Sequence, residues 1–129
     1  MKDQASKVSK VSQASNKQLP VLRLWETTIH ELLDCTEQFP KKVRYSFVQR
    51  IDNHALELIE QLTLARYTTD HQEGQALLQA DLALNKLKVL LRLAYSRTYI
   101  AHKRYEHLIQ RCEEVGRMLG GWTKSHTKR

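Results

Sequence analysis

The stretch Gln75-Ala-Leu-Leu-Gln-Ala-Asp-Leu-Ala-Leu-Asn-Lys-Leu-Lys-Val-Leu-Leu-Arg-Leu-Ala-Tyr-Ser-Arg-Thr98 decides the fold. It is rich in Leu and Ala, both strong helix formers. Leu77, Ala80, Leu84, Leu87, Leu91 and Ala94 follow one another at spacings of three and four. Ala76, Ala83 and Leu90 widen that stripe into the broad face that a helix turns toward a bundle core. A second stripe, Leu78, Leu82, Val89 and Leu93, lies on nearly the opposite side. A helix of a small monomeric bundle is polar there. Single surface leucines are common, but these in register predict a subunit interface as well as a core.

The same stretch opens a charge asymmetry. No acid occurs between Asp81 and Glu106, whereas Lys86, Lys88, Arg92, Arg97, Lys103 and Arg104 all fall inside that interval. A solvated helix face mixes signs, because partners three or four residues apart favour opposite charges. An unmixed run predicts an external anionic partner or an acidic neighbour within an assembly. Over the whole chain of 129 residues the net charge is +7. Residues 1–18 hold four Lys and one Asp, and residues 122–129 add Lys124, Lys128 and Arg129 without an acid. The body between is nearly neutral in sum, so its polarity comes from layout.

Outward from that helix the chain reads as three more. The first starts near Pro20, which suits a first helical turn. Leu22, Trp25, Ile29 and Leu32, joined by Leu33 and Cys35, mark its inner face, and its polar side is acidic: Glu26, Glu31, Asp34 and Glu37 against Arg23. Phe39-Pro40 ends it, since the residue before a proline is pushed out of the helical region. Pro40 then opens the second helix, where Val43, Phe47, Ile51, Leu58 and Leu62 face inward with Val48, Ala55 and Ile59. Lys41, Lys42, Arg44 and Arg50 crowd its start, opposing the helix macrodipole, which mildly favours a functional reason for them. That helix fades at Tyr67-Thr68-Thr69-Asp70, with Gly74 in the following loop. The fourth helix runs from about His102 to Leu119 on the seam Tyr105, Leu108, Cys112, Val115, Leu119 and Trp122. Gly120-Gly121 is expected to stop it, with Trp122 folded back over the bundle end. The expected organisation is a disordered basic tail over residues 1–18, an all-α up-down-up-down four-helix bundle over 19–122, and a basic C-terminal tail over 123–129.

Several function classes find no support. Neither a Gly-rich phosphate loop nor a strand-to-helix turn bearing a catalytic serine is present. His54, His102 and His107 lie on helices without a second ligand at metal spacing, so no catalytic centre, metal or cofactor is expected. Cys35 and Cys112 fall on apolar stripes and read as buried small hydrophobes in a reducing compartment. No apolar run approaches the roughly 18–20 residues that span a bilayer, and no apolar segment follows the N-terminal lysines as in a secretory signal. A cytoplasmic protein without membrane contact is expected. The basic positions Lys41, Lys42, Arg44, Arg50, Lys86, Lys88, Arg92, Arg97, Lys103 and Arg104, with Arg117 and Lys124 as weaker members, are candidates for phosphate contacts. No aromatic platform is read among them.

Three segments together carry a family resemblance. They are Phe39-Pro-Lys-Lys-Val-Arg-Tyr-Ser-Phe-Val-Gln-Arg-Ile51, Leu87-Lys-Val-Leu-Leu-Arg-Leu-Ala94, and Tyr105-Glu-His through Val115-Gly-Arg-Met-Leu-Gly-Gly-Trp122. Across roughly residues 20–125 the chain resembles the accessory variability determinant (Avd) proteins of bacterial and phage diversity-generating retroelements. The same fold family includes small four-helix proteins encoded in intervening sequences of bacterial large-subunit ribosomal RNA genes. The resemblance implies a ring-like homopentamer, binding of a reverse transcriptase and of template RNA and cDNA, and no catalysis by the accessory protein itself. The alternative it leaves open is an intervening-sequence-type bundle whose structural or RNA-binding role is unrelated to a reverse transcriptase.

Overall fold

In the computed structural model the described residues form four α-helices: α1 (Lys2–Glu37), α2 (Gln49–Arg66), α3 (Asp70–Ser96) and α4 (His102–Lys128). The structure describes residues 18–129 in full; the tail expected over residues 1–18 therefore lies, but for Gln18, outside the described residues. Pro20 sits inside α1 as bounded, not in its first turn. No strand occurs among the described residues.

Each helix packs chiefly on its sequence neighbours, and α1 closes the ring against α4. Short connections make those neighbours antiparallel, so the architecture is the expected four-helix bundle. Its core is built from the inner stripes that the spacing predicts. On α3, Leu77, Ala80, Leu84, Leu87, Leu91 and Ala94 are buried with Ala76 and Ala83. Trp25 and Leu32 from α1, Ile51, Leu58 and Leu62 from α2, and Leu108, Val115 and Leu119 from α4 meet them. Each large apolar side chain among these contributes about 1.5–3 kcal/mol by leaving water. The Trp25 indole N–H, buried with its ring, donates to the Ala55 carbonyl at 2.9 Å and so ties α1 to α2.

Helix α2 is entered in two steps. A 3₁₀ turn, Lys41–Val43, follows Pro40, and a π-helical turn, Arg44–Val48, leads into the α-helix proper. Opposite it, α3 ends in a Schellman closure: Tyr99 N–H donates to the Ala94 carbonyl and Thr98 N–H to the Tyr95 carbonyl, both at 2.9 Å. The left-handed residue this motif requires is usually glycine; here it is Thr98, at φ 66°. A β-branched residue there is strained by about 1–2 kcal/mol. Tyr99 turns inward as a result and packs on Phe39 (centroids 5.8 Å) and edge-on to Phe47 (5.5 Å). The α1–α2 and α3–α4 connections therefore meet at one end of the bundle.

At the other end three expectations change. Gly74 is not in a loop but in the opening turns of α3, because that helix begins at Asp70. A Cβ on Gly74 would lie 2.9 Å from His126 Nε2, so the glycine admits α4 at close range. Gly120-Gly121 does not stop α4: neither glycine has positive φ, and the helix runs on to Lys128. Two mid-helix glycines cost about 1 kcal/mol each, and the tertiary anchor beyond them offsets this. Glu73, 4% exposed, accepts from Trp122 Nε1 and from Arg129 Nη2 at 2.8 Å each, with His126 Nδ1 at 3.3 Å. Trp122 thus stays on the helix and does not fold back, and the expected C-terminal tail over 123–129 forms its last turns.

Candidate nucleic-acid interface

The fold sorts the predicted basic residues by height along the bundle. Lys41, Lys42 and Arg44 lie on the 3₁₀ and π turns, Arg50 in the first turn of α2, Arg92 and Arg97 at the end of α3, and Lys103 and Arg104 in the first turn of α4. All belong to the end where the Phe39–Tyr99 and Phe47–Tyr99 contacts join the two connections. Over residues 34–52 and 92–106 eight basic side chains face four acidic ones, Asp34, Glu37, Asp52 and Glu106. The basic eight are exposed. None is in an ion pair among the described residues.

The remaining candidates lie elsewhere. Lys86 and Lys88 sit roughly 12–15 Å below the end of α3 at about 1.5 Å per residue. Lys86 flanks α2, where its charge bears on His54, and half-buried Lys88 flanks α4 near Cys112. Arg117 and Lys124 are about 22 Å and 33 Å along α4 from its start. The structure does not gather these four with the end cluster.

Three of the local acids have partners. Glu31 of α1 bonds His107 of α4, and Glu106 reaches His102 at 3.5 Å. The adjacent residues Glu106 and His107 thus turn to different partners, as helical geometry dictates. Asp52 accepts from Thr36 Oγ1 at 2.8 Å; burial nevertheless pushes its carboxyl above the ordinary value, with that hydrogen bond opposing and Glu37 reinforcing the rise. Lys103 and Arg104 line an open cleft of about 340 Å³ with Glu31, His107 and Leu108. Arg97 is the most strictly held of the cations. Its Nε donates to the Tyr99 hydroxyl at 2.9 Å and its guanidinium lies over the Tyr99 ring at 5.7 Å. That hydrogen bond pushes the Arg97 pKa upward.

The aromatic residues correct the expectation that no platform stands among the cations. Tyr95 stacks on Tyr105 (4.3 Å, 12°) and shares a 2.7 Å hydrogen bond with His102 Nδ1, bracing the start of α4. Tyr45, between Arg44 and Ser46, is 81% exposed, so an aromatic ring does stand in the basic run. The sequence signal for it is register: Tyr45 falls midway between Val43 and Phe47 of the inner stripe and must face outward.

On the outer side of α3, Leu78, Leu82, Val89 and Leu93 are between 41% and 53% exposed, and Leu56 and Leu64 of α2 are exposed as well. Both cysteines are free and buried. Burial raises the Cys35 thiol pKa and pushes that of Cys112 up to about 12, so neither is a ready nucleophile. Among the described residues no three His, Cys, Asp or Glu side chains gather as a metal site requires. No helix of the described residues is long and apolar enough to cross a membrane.

A family model described as bAvd-like matches residues 13–126. The chain belongs to that family. The span includes all three segments on which the resemblance to accessory variability determinant proteins stands. Members of the bAvd-like family are accessory, non-catalytic proteins associated with a reverse transcriptase. Comparison with curated proteins finds no match.

Proposed function

We propose that the chain is the nucleic-acid-binding accessory subunit of a diversity-generating retroelement, which binds the reverse transcriptase and holds template RNA and its cDNA during mutagenic copying. One observation carries this reading beyond family membership: eight cations from two connections and three helices converge on one end of the bundle without an ion pair among the described residues. Such a surface neutralises phosphates and positions a strand. Lys86, Lys88, Arg117 and Lys124 would extend the binding surface along α3 and α4. Subunits associate through Leu78, Leu82, Val89 and Leu93, and the proposed assembly is a ring-like homopentamer. Repetition of the basic end in every subunit adds weak interactions through effective concentration.

The test replaces Arg92, Arg97 and Lys103 together with Ala. With oligomer mass unchanged, RNA affinity should fall, and the log–log salt slope should shrink by roughly 0.7–0.9 for each phosphate no longer neutralised. Intact assembly with undiminished affinity for both RNA and reverse transcriptase would refute the reading. RNA binding without any affinity for a reverse transcriptase would favour the intervening-sequence alternative.

A further inference from the structure

We infer that Tyr45 is a stacking platform for an unpaired nucleobase, with Lys41, Lys42 and Arg44 holding the phosphates on either side of that base. The inference rests on the polyanion-binding reading above and deepens it, from a charged surface to one selective for single-stranded nucleic acid.

The chain otherwise occupies its aromatic rings. Trp25, Trp122 and Phe39 are buried, and Phe47, Tyr95, Tyr99 and Tyr105 are engaged in ring contacts. Tyr67 is exposed, but the Arg66 guanidinium lies over its ring at 5.3 Å. Tyr45 differs from all of these. Among the described residues it is the most exposed of the large hydrophobic side chains, and no ring or cation there covers it. An uncovered aromatic face within a short run of cations is the combination that single-stranded binders use, in which charge tracks the backbone and a ring takes the base.

The ring is also held in place. Tyr45 lies in the π turn Arg44–Val48, and Phe47 of that turn is pinned edge-on to Tyr99, itself fixed by the closure of α3. Inward Phe47 therefore sets outward Tyr45, so little backbone freedom remains to be given up on binding. π turns recur at functional sites for this kind of redirection. Lys41 and Lys42 lie one turn before the ring and Arg44 directly beside it. No acid occurs from Gln38 to Ile51, which disfavours a basic or mixed protein surface as the occupant. Paired bases inside an A-form duplex hide their faces, whereas loops, bulges and ends offer them.

The experiment compares wild type, Tyr45→Ala and Tyr45→Trp on three probes of equal length: single-stranded RNA, duplex RNA and an abasic single strand. Circular dichroism and oligomer mass should match in all three proteins, because Tyr45 stands outside the core. Tyr45→Ala should weaken single-strand binding roughly 5- to 150-fold, the range one stacked base supplies. Its salt slope should not change, since no charge is removed. On the abasic strand and the duplex the variant should equal wild type. Tyr45→Trp should retain affinity, and its emission should be quenched by the single strand alone, the native Trp25 and Trp122 being buried. Equal single-strand affinity of wild type and Tyr45→Ala would overturn the stacking role while leaving the basic end intact. Loss of reverse-transcriptase binding with RNA binding unchanged would overturn it in favour of a protein contact. A wild-type protein without salt-dependent RNA affinity would overturn both readings at once.

Discussion

Glu73 should govern the stability of the end of the bundle remote from the basic cluster. Its carboxylate is 4% exposed and accepts hydrogen bonds from Trp122 and Arg129, with His126 Nδ1 beside it at 3.3 Å, across sequence separations of 49 to 56. Glu73→Ala would leave the buried Trp122 N–H without its acceptor, which costs about 1–3 kcal/mol. Removing the Arg129 pair adds less than a fully buried ion pair would, because the Arg129 side chain is 51% exposed and rehydrates. A total of about 2–4 kcal/mol follows, or roughly 6–20 °C in melting temperature for a domain of this size. Trp122→Phe keeps the packing and the Arg129 pair, so about 1 kcal/mol is expected. Urea titration measures the totals, and hydrogen exchange locates them. In Glu73→Ala the amides of Thr123–Lys128 and the first turns of α3 should lose protection, while the Tyr99 closure keeps its own. Undiminished protection of 123–128 would refute the account, leaving Gly120 and Gly121 without a compensating anchor.

Two other perturbations separate the faces of α3 and set a pH dependence. Leu82→Asp with Val89→Asp should give a helical particle of smaller mass by light scattering, whereas Leu84→Ala on the inner stripe should keep its mass and lose about 2–5 kcal/mol of stability; unchanged mass in the Asp variant would remove the proposed interface. His54 has its pKa lowered from 6.5, chiefly by burial and secondarily by Lys86, with Glu57 opposing. The unfolded chain then binds the proton more readily, so stability should rise with pH through the window just below and up to about 6.5 and flatten above it. His54→Gln should reduce that slope, as read from melting temperatures between about pH 5 and 8.

Both stripes of α3 are legible in sequence because they are local: spacing alone separates Leu84 from Leu82, and the structure buries one and exposes the other. The basic residues are equally legible as a set. Their division is not, since it depends on helix length and on which connections share an end. Heights along α3 and α4 remove Lys86, Lys88, Arg117 and Lys124 from a cluster that chain order alone would join. The corrected elements share a different cause. Gly120-Gly121 has the local form of a stop, yet the helix runs on to residues that meet the distant Glu73. Thr98 carries no sign of its left-handed role, because the motif that demands it is set by backbone closure and by Tyr99 docking on Phe39. Gly74 reads as a loop residue, yet its use is room for His126.

The placement of charge at the basic end has a further logic. Lys41, Lys42 and Arg44 stand at the start of the α2 helical run, and Lys103 and Arg104 at the start of α4; neither first turn contains an acid. At both positions the cation adds to the positive end of a helix dipole instead of cancelling it, an arrangement that costs from a few tenths to about 1 kcal/mol per site. Glu31, which lines the cleft with Lys103 and Arg104, bonds His107 instead, Asp52 accepts from Thr36, and the described residues offer these lysines and arginines no ion pair. Two helix N-termini and five cations therefore point the same sign of field at solvent. The bundle is less stable for it, and an incoming phosphate is what would reverse the penalty. Arg97, by contrast, is the C-cap residue of α3, where positive charge is favourable, and Arg92 stands just before that helix's last turn. Stability of the chain alone accounts for Arg97 and fails to account for the five cations at the two helix starts, so the case for an anionic partner is strongest at Lys41, Lys42, Arg44, Lys103 and Arg104.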